Sequence, residues 1–143
     1  MRFSYIDHIG IAVDDLECAI ERYTRLHGAP PSYVTTVPAE QVTVAFFPVG
    51  PTKIELLAGT SAESPIARFI AKRGPGLHHI CYAVEDWTRT IATLHDEGMT
   101  PIVREASVGA GGKRVLFFHP REMGGVLIEL LAVTPPTPIL KMT

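Results

Sequence analysis

The sequence predicts an α+β fold made of two similar βαβββ modules in tandem. Three observations carry that expectation. His8–Leu16 (HIGIAVDDL) recurs 71 residues later as His79–Trp87 (HICYAVEDW), and Ile54–Ala58 (IELLA) recurs unchanged 74 residues later as Ile128–Ala132. The total of 143 residues matches one domain of ordinary size.

Each half reads alike. His8–Val13 and His79–Val84 are short runs carrying β-branched residues, and both end at acidic residues, as strands do. Asp14 or Asp15 can cap a helix whose Leu16, Ile20, Tyr23 and Leu26 share a face and whose end is Gly28. Asp86 is the equivalent cap in the second half, with Trp87, Ile91 and Leu94 as the apolar stripe and Gly98 as the stop. Three strand-like runs follow the first helix, near 31–37, 41–48 and 52–58, with counterparts near 100–105, 113–119 and 125–133. Between the halves, Ser64-Pro65 opens a short helix at 64–73 that Arg73-Gly74-Pro75-Gly76 breaks. The first module then spans about 5–60 and the second about 77–133, with an irregular, Pro-bearing tail at 134–143.

Composition excludes several classes. Apolar residues make up 46% and charged residues 20%, the balance of a folded globular chain. A formal net charge of −2 is not the electrostatic footprint of a general nucleic-acid or anionic-membrane binder. The start carries no signal-peptide pattern, and no apolar run reaches bilayer length, so a cytoplasmic protein is expected. Cys18 and Cys81 form no CxxC and read as small core residues, although Cys81 could face a cavity.

Alternation along the strands places His8 with Gly10 and Ala12, and His79 with Cys81 and Ala83. Small neighbours leave space in front of both imidazoles. Glu55 and Glu129 stand inside very apolar strands, where an unpaired carboxylate is costly and calls for a partner, a proton or a cation. One His at the start of a strand is commonplace, and a lone Glu can point to solvent. The duplicated His–Glu pair is more informative, because two halves related by an approximate two-fold axis would bring His8, Glu55, His79 and Glu129 to one place, a plausible divalent-cation site. His78 falls on the opposite face by the same alternation and reads as supporting or structural. The glycine-rich run Val108–Lys113 lacks the Ser or Thr of a phosphate loop and reads as a hairpin, with Lys113 near a substrate anion. His119-Pro120 reads as a turn, and His27 and His95 as helix-end residues.

The paired His-led strands, the two Ile-Glu-Leu-Leu runs, Gly76–Ile80 and Gly124–Leu130 resemble the vicinal oxygen chelate (glyoxalase/bleomycin resistance/dioxygenase) superfamily. Within it the chain is most similar to the methylmalonyl-CoA epimerase family, over about Ile6 to Ala132 and including Glu63–Ala67 and Phe117–Pro120. The resemblance implies one open, U-shaped mixed sheet with helices outside. It also implies one divalent ion (cobalt, zinc, nickel or manganese) held by His8, Glu55, His79 and Glu129, Glu129 as a catalytic carboxylate, an acyl-CoA substrate, and a homodimer. The implied reaction is epimerisation by α-proton abstraction through a stabilised enolate. A departure is Val44, which stands where some epimerases carry a second catalytic Glu, with Glu40 nearby and Gln41 replacing a frequent Gly. The second acid or base is therefore left open, as are the substrate-binding residues. The alternatives are a glyoxalase I-type isomerase or lyase and a metal-free small-molecule-binding protein of the same fold. An extradiol dioxygenase fits less well, since its two-His, one-Glu iron site leaves Glu55 surplus.

Overall fold

Apolar alternation in eight short runs produces one sheet in the computed structural model, which describes residues 2–108 and 114–133. In chain order the elements are β1 (Tyr5–Ala12), α1 (Leu16–His27), β2 (Tyr33–Val37), β3 (Val42–Val49), β4 (Thr52–Gly59) and α2 (Pro65–Arg73). They continue as β5 (Gly76–Val84), α3 (Trp87–Asp96), β6 (Ile102–Val108), β7 (Arg114–Phe118) and β8 (Leu127–Ala132). The strand order β2-β3-β4-β1-β5-β8-β7-β6 reads the same from both edges once the modules are matched. β1 and β5 pair antiparallel at the centre, and each pairs parallel with the last strand of its own module, β4 or β8.

The helices start where the sequence predicts. Asp15, not Asp14, caps α1 by accepting from the Cys18 amide at 3.0 Å, and Gly28 at φ 73° ends the helix in the left-handed region. Asp86 caps α3 from the Arg89 amide at 3.3 Å. Ser64, fully buried, caps α2 by accepting from the Ala67 amide at 2.9 Å.

The two faces of the sheet are packed differently. Ala19 and Ile20 of α1 cover Ala45, Phe47, Leu56 and Ala58, while Trp87 and Leu94 of α3 cover Leu116, Phe118, Ile128 and Leu130. These contacts form the outer layer. α2 instead packs through Ile66 and Phe69 on Ala12, Val42, Val44 and Leu57. Register pairs place those residues on the face that carries His8, Gly10 and Glu55, so α2 lies beside the inner surface. Two expectations fail at the surface. Leu26 is 76% exposed, because the last turn of α1 meets the core through the neighbouring His27, whose ring lies 4.8 Å from that of Phe47, and Cys18 is exposed on the same helix. The tail 134–143 and the loop 109–113, with Lys113, lie outside the described residues.

Candidate metal centre and its cleft

The central pairing of β1 with β5 brings the two halves' histidines together. His8 pairs in register with Cys81, and Gly10 with His79. Gly10 in turn pairs with Glu55 on β4, and Cys81 with Glu129 on β8. All four predicted ligands therefore rise from one face of adjacent strands. His8 Nε2 lies 3.0 Å from His79 Nε2 and 3.2 Å from Glu129 Oε2, and His79 Nε2 lies 3.6 Å from the same oxygen. Glu55 meets the other edge of the His8 ring, with Oε2 3.1 Å from Nδ1. Three donors converge and the fourth stands beside them.

Gly10 makes this arrangement possible. A Cβ at position 10 would stand 2.2 Å from Cε1 of His79, well inside contact distance, so the imidazole occupies the volume a side chain would take. The small-residue face expected from alternation has its cause here.

Two irregularities complete the set. The β1–β5 register shifts by one residue between Ile6 and His8, and again between Gly10 and Ile11. Each shift inserts one extra residue into a strand, Asp7 on β1 and His78 on β5, which is the geometry of a β-bulge. Each bulged residue immediately precedes a histidine of the cluster and contacts it. Asp7 Oδ2 accepts from His8 Nδ1 at 2.8 Å, and His78 Nδ1 lies 2.9 Å from His79 Nδ1. The bulge corrects the expected position of His78. Simple alternation would send its side chain to the outer face, but the extra residue turns it toward His79 and edge-on to Phe69 of α2, with ring centroids 4.8 Å apart. Asp7, 6% exposed and also 3.7 Å from Lys53 Nζ, was not singled out in the sequence. Its only sequence signal is a carboxylate adjoining a candidate ligand histidine.

Electrostatics follow from this packing. Burial opposes charge on His8, but its hydrogen bonds to Asp7, Cys81 and Glu129 and the charge of Glu55 outweigh it, and the imidazole is pushed up to about 12. His79 is pushed down to about 3 by burial and by positive His8. Burial raises Glu55 to about 7, with Glu129 and Asp7 adding repulsion. Burial likewise lowers His78 and raises Cys81 to about 11. In this protonation state His8 is the cation that offsets a crowded carboxylate cluster. A proton on Nδ1 of His79, directed at His78 Nδ1, would leave the His79 Nε2 lone pair facing His8. Deprotonating His8 while Nδ1 stays bonded to Asp7 would expose a second Nε2 lone pair to the same point.

The donor set suits a borderline divalent ion. His8, His79 and Glu129 offer two imidazole nitrogens and one carboxylate oxygen, all within 4.8 Å of one another. A second grouping, Asp7, His8 and Cys81, shares His8. Cys81, fully buried, does face the cavity, as its partnership with His8 requires.

The position held by Glu in some epimerases is apolar here. Val44 is buried against Ala12, Leu57 and Ile66, and Glu40 is exposed on the one-turn 3₁₀ segment Pro38–Glu40. Gln41 then adopts φ 52°, the left-handed conformation that a glycine takes without cost, and its side chain accepts a hydrogen bond from Ser61. Beside the centre, a cleft of about 350 Å³ opens between α2, β8 and the turn after β7. His78 and Phe69 lie at its wall, and Arg68, Lys72 and Arg73 are exposed along its α2 side. His119, which caps the turn Pro120–Glu122 by accepting from the Arg121 amide at 3.0 Å, lines it too.

Comparison with known proteins agrees with the fold. The model of the Glyoxalase/Bleomycin resistance protein/Dioxygenase superfamily matches residues 7–117. Human mitochondrial methylmalonyl-CoA epimerase is 40% identical over 126 residues, covering 87% of this chain and 72% of the relative. The ethylmalonyl-CoA/methylmalonyl-CoA epimerase of Cereibacter sphaeroides is 42% identical over 127 residues, covering 87% and 95%. Among solved structures, Streptomyces coelicolor methylmalonyl-CoA epimerase in complex with 2-nitronate-propionyl-CoA superposes with a TM-score of 0.81 at 31% identity, covering 94% of this chain and 99% of that one. The chain belongs to this superfamily, and its close homologues are methylmalonyl-CoA epimerases.

Proposed function

We propose that this member of the superfamily is a metal-dependent epimerase of methylmalonyl-CoA or a closely similar branched acyl-CoA. The observation that carries the reading is the convergence of His8 Nε2, His79 Nε2 and Glu129 Oε2 at the join of the two halves. Names of relatives at about 40% identity supply the substrate. The α-proton of a malonyl thioester is acidified by two carbonyl groups, so removing it needs a base and charge stabilisation.

His8, His79 and Glu129 would hold a divalent ion, with Glu55 as the fourth ligand from the equivalent strand of the first module. When bound, the ion would supply Lewis-acid stabilisation of the negative charge that develops on the substrate's oxygens, a contribution of several kcal/mol. Glu129 takes the α-proton; a carboxylate has two oxygens, so one residue can face a cation and accept a proton. Asp7 and His78 hold the two imidazoles by their Nδ1 atoms, which fixes the direction of Nε2. Ala12, Val44 and Leu57, packed under Ile66, keep that side of the face dry. With Val44 apolar, return of the proton to the opposite face falls to a group other than a glutamate at that position. The reading includes a cytoplasmic location and a homodimer, and light scattering on the purified protein tests the dimer.

Cobalt, zinc, nickel or manganese titrated into metal-stripped protein gives the direct test. One equivalent should bind tightly, and His8→Ala or His79→Ala should abolish tight binding. Unchanged binding in both variants would place the ion elsewhere.

A further inference from the structure

We infer that the basic edge of α2 is the anchor for the phosphates of an acyl-CoA, with the pantetheine arm lying in the cleft between α2 and β8. This inference rests on the acyl-CoA reading and locates the part of the substrate that the reacting centre does not touch.

Arg68 and Lys72 are four residues apart, one turn of helix, and so share a face. Arg73 follows, its guanidinium 5.8 Å from the centroid of the Phe69 ring. All three line the cleft and are exposed. None of them forms an ion pair with an acidic residue among the described residues, a property shared with Arg22, Arg89, Arg114 and Arg121, but only these three stand together on one helix along the cleft. The described cleft lining contains no Asp or Glu. A chain of net charge −2 thus concentrates three uncompensated cations on one nine-residue helix.

The cleft has the matching chemistry along its length. On its inner side the cleft is walled by His78, which touches both Phe69 and the candidate ligand His79, so a single imidazole separates the space from the centre. Pro65, Phe69 and Leu127 give its walls an apolar character suited to an alkyl-amide arm. A thioester placed at Glu129 would send its arm out past His78 and Phe69 toward the cations. Capping of α2 by buried Ser64 holds the helix, and Gly59 permits its close approach, since a Cβ there would meet Ser64 Oγ at 2.1 Å. The anchor is therefore rigidly related to the site.

The test compares methylmalonyl-CoA with methylmalonyl-N-acetylcysteamine, a thioester with the same acyl group and no phosphates. In the double variant Arg68→Glu/Lys72→Glu, KM for the CoA ester should rise about ten- to hundredfold, as expected for losing charge-assisted phosphate contacts. kcat should hold, and the phosphate-free ester should lose less than about twofold in kcat/KM. Adenosine 3′,5′-bisphosphate should compete with the CoA ester on the unmodified protein and not on the variant. Equal losses for both esters, or no loss for either, would overturn the assignment. If the unmodified protein turns over neither ester, the epimerase reading has failed, and titration of free CoA still decides the anchor: it should bind the unmodified protein and not the double variant.

Discussion

Gly10 and His79 occupy one volume: the imidazole of His79 lies where a side chain at position 10 would project, 2.2 Å from an ideal Cβ. The two residues belong to different halves of the duplicated chain and are register partners across the β1–β5 join. The position of a candidate ligand in the second module is thus set by the absence of a side chain in the first.

Gly10→Ala should for that reason act on the centre more than on the fold. The methyl group forces His79 to rotate or β1 to shift, an overpacking cost of about 1–3 kcal/mol. Metal affinity should fall more than about tenfold with secondary structure retained. Circular dichroism together with a chelator-competition titration checks both parts.

Asp7 holds Nδ1 of His8 and so directs Nε2 toward the other donors. Asp7→Ala should weaken metal binding by about 10- to 100-fold, the usual cost of losing a carboxylate behind a ligand histidine. Asp7→Asn keeps an acceptor oxygen and should lose less. Equal losses in the two variants would show that Asp7 acts through its charge alone.

In metal-free protein, His8 is pushed up from 6.5 to about 12, so the folded chain binds this proton more tightly than the unfolded chain. Its stabilising contribution is complete below pH 6.5 and is lost as pH rises toward 12. Thermal stability of metal-free protein should accordingly decline from pH 7 to 10, and His8→Asn should flatten that decline. Metal binding needs the neutral imidazole and must displace this proton. Affinity should therefore rise with pH, by up to about tenfold per unit, and calorimetry in buffers of different ionisation enthalpy should show about one proton released.

Much of the site was legible because duplication marks it twice. The 71-residue recurrence of the His-led strand and the 74-residue recurrence of Ile-Glu-Leu-Leu-Ala named the residues that the structure gathers, and strand alternation gave the small-residue face around Gly10 and Cys81. The bulges at Asp7 and His78 were not legible. One inserted residue has no compositional signature, yet it changes the face of any side chain counted across it, which is why alternation puts His78 on the wrong side. The basic edge of α2 was equally silent. Arg68 and Lys72 look like any solvated helix face until topology sets that helix beside the inner surface, whereas α1 and α3 cover the outer one. Leu26 fitted the helical stripe and still lies in solvent, because the last turn of α1 turns His27 rather than Leu26 onto Phe47.

The central claim is that Glu129, within the cluster joining the two halves, removes the α-proton. Solvent deuterium incorporation at the α-carbon of methylmalonyl-CoA, followed by NMR or mass spectrometry on metal-loaded protein, measures that step without relying on coupled turnover. The unmodified protein should exchange the proton rapidly. Glu129→Gln should slow exchange by about 10²- to 10⁴-fold, the range for losing a positioned base, with the bound metal content checked in parallel. Exchange no faster than the protein-free control, or an undiminished rate in metal-replete Glu129→Gln, would contradict the account.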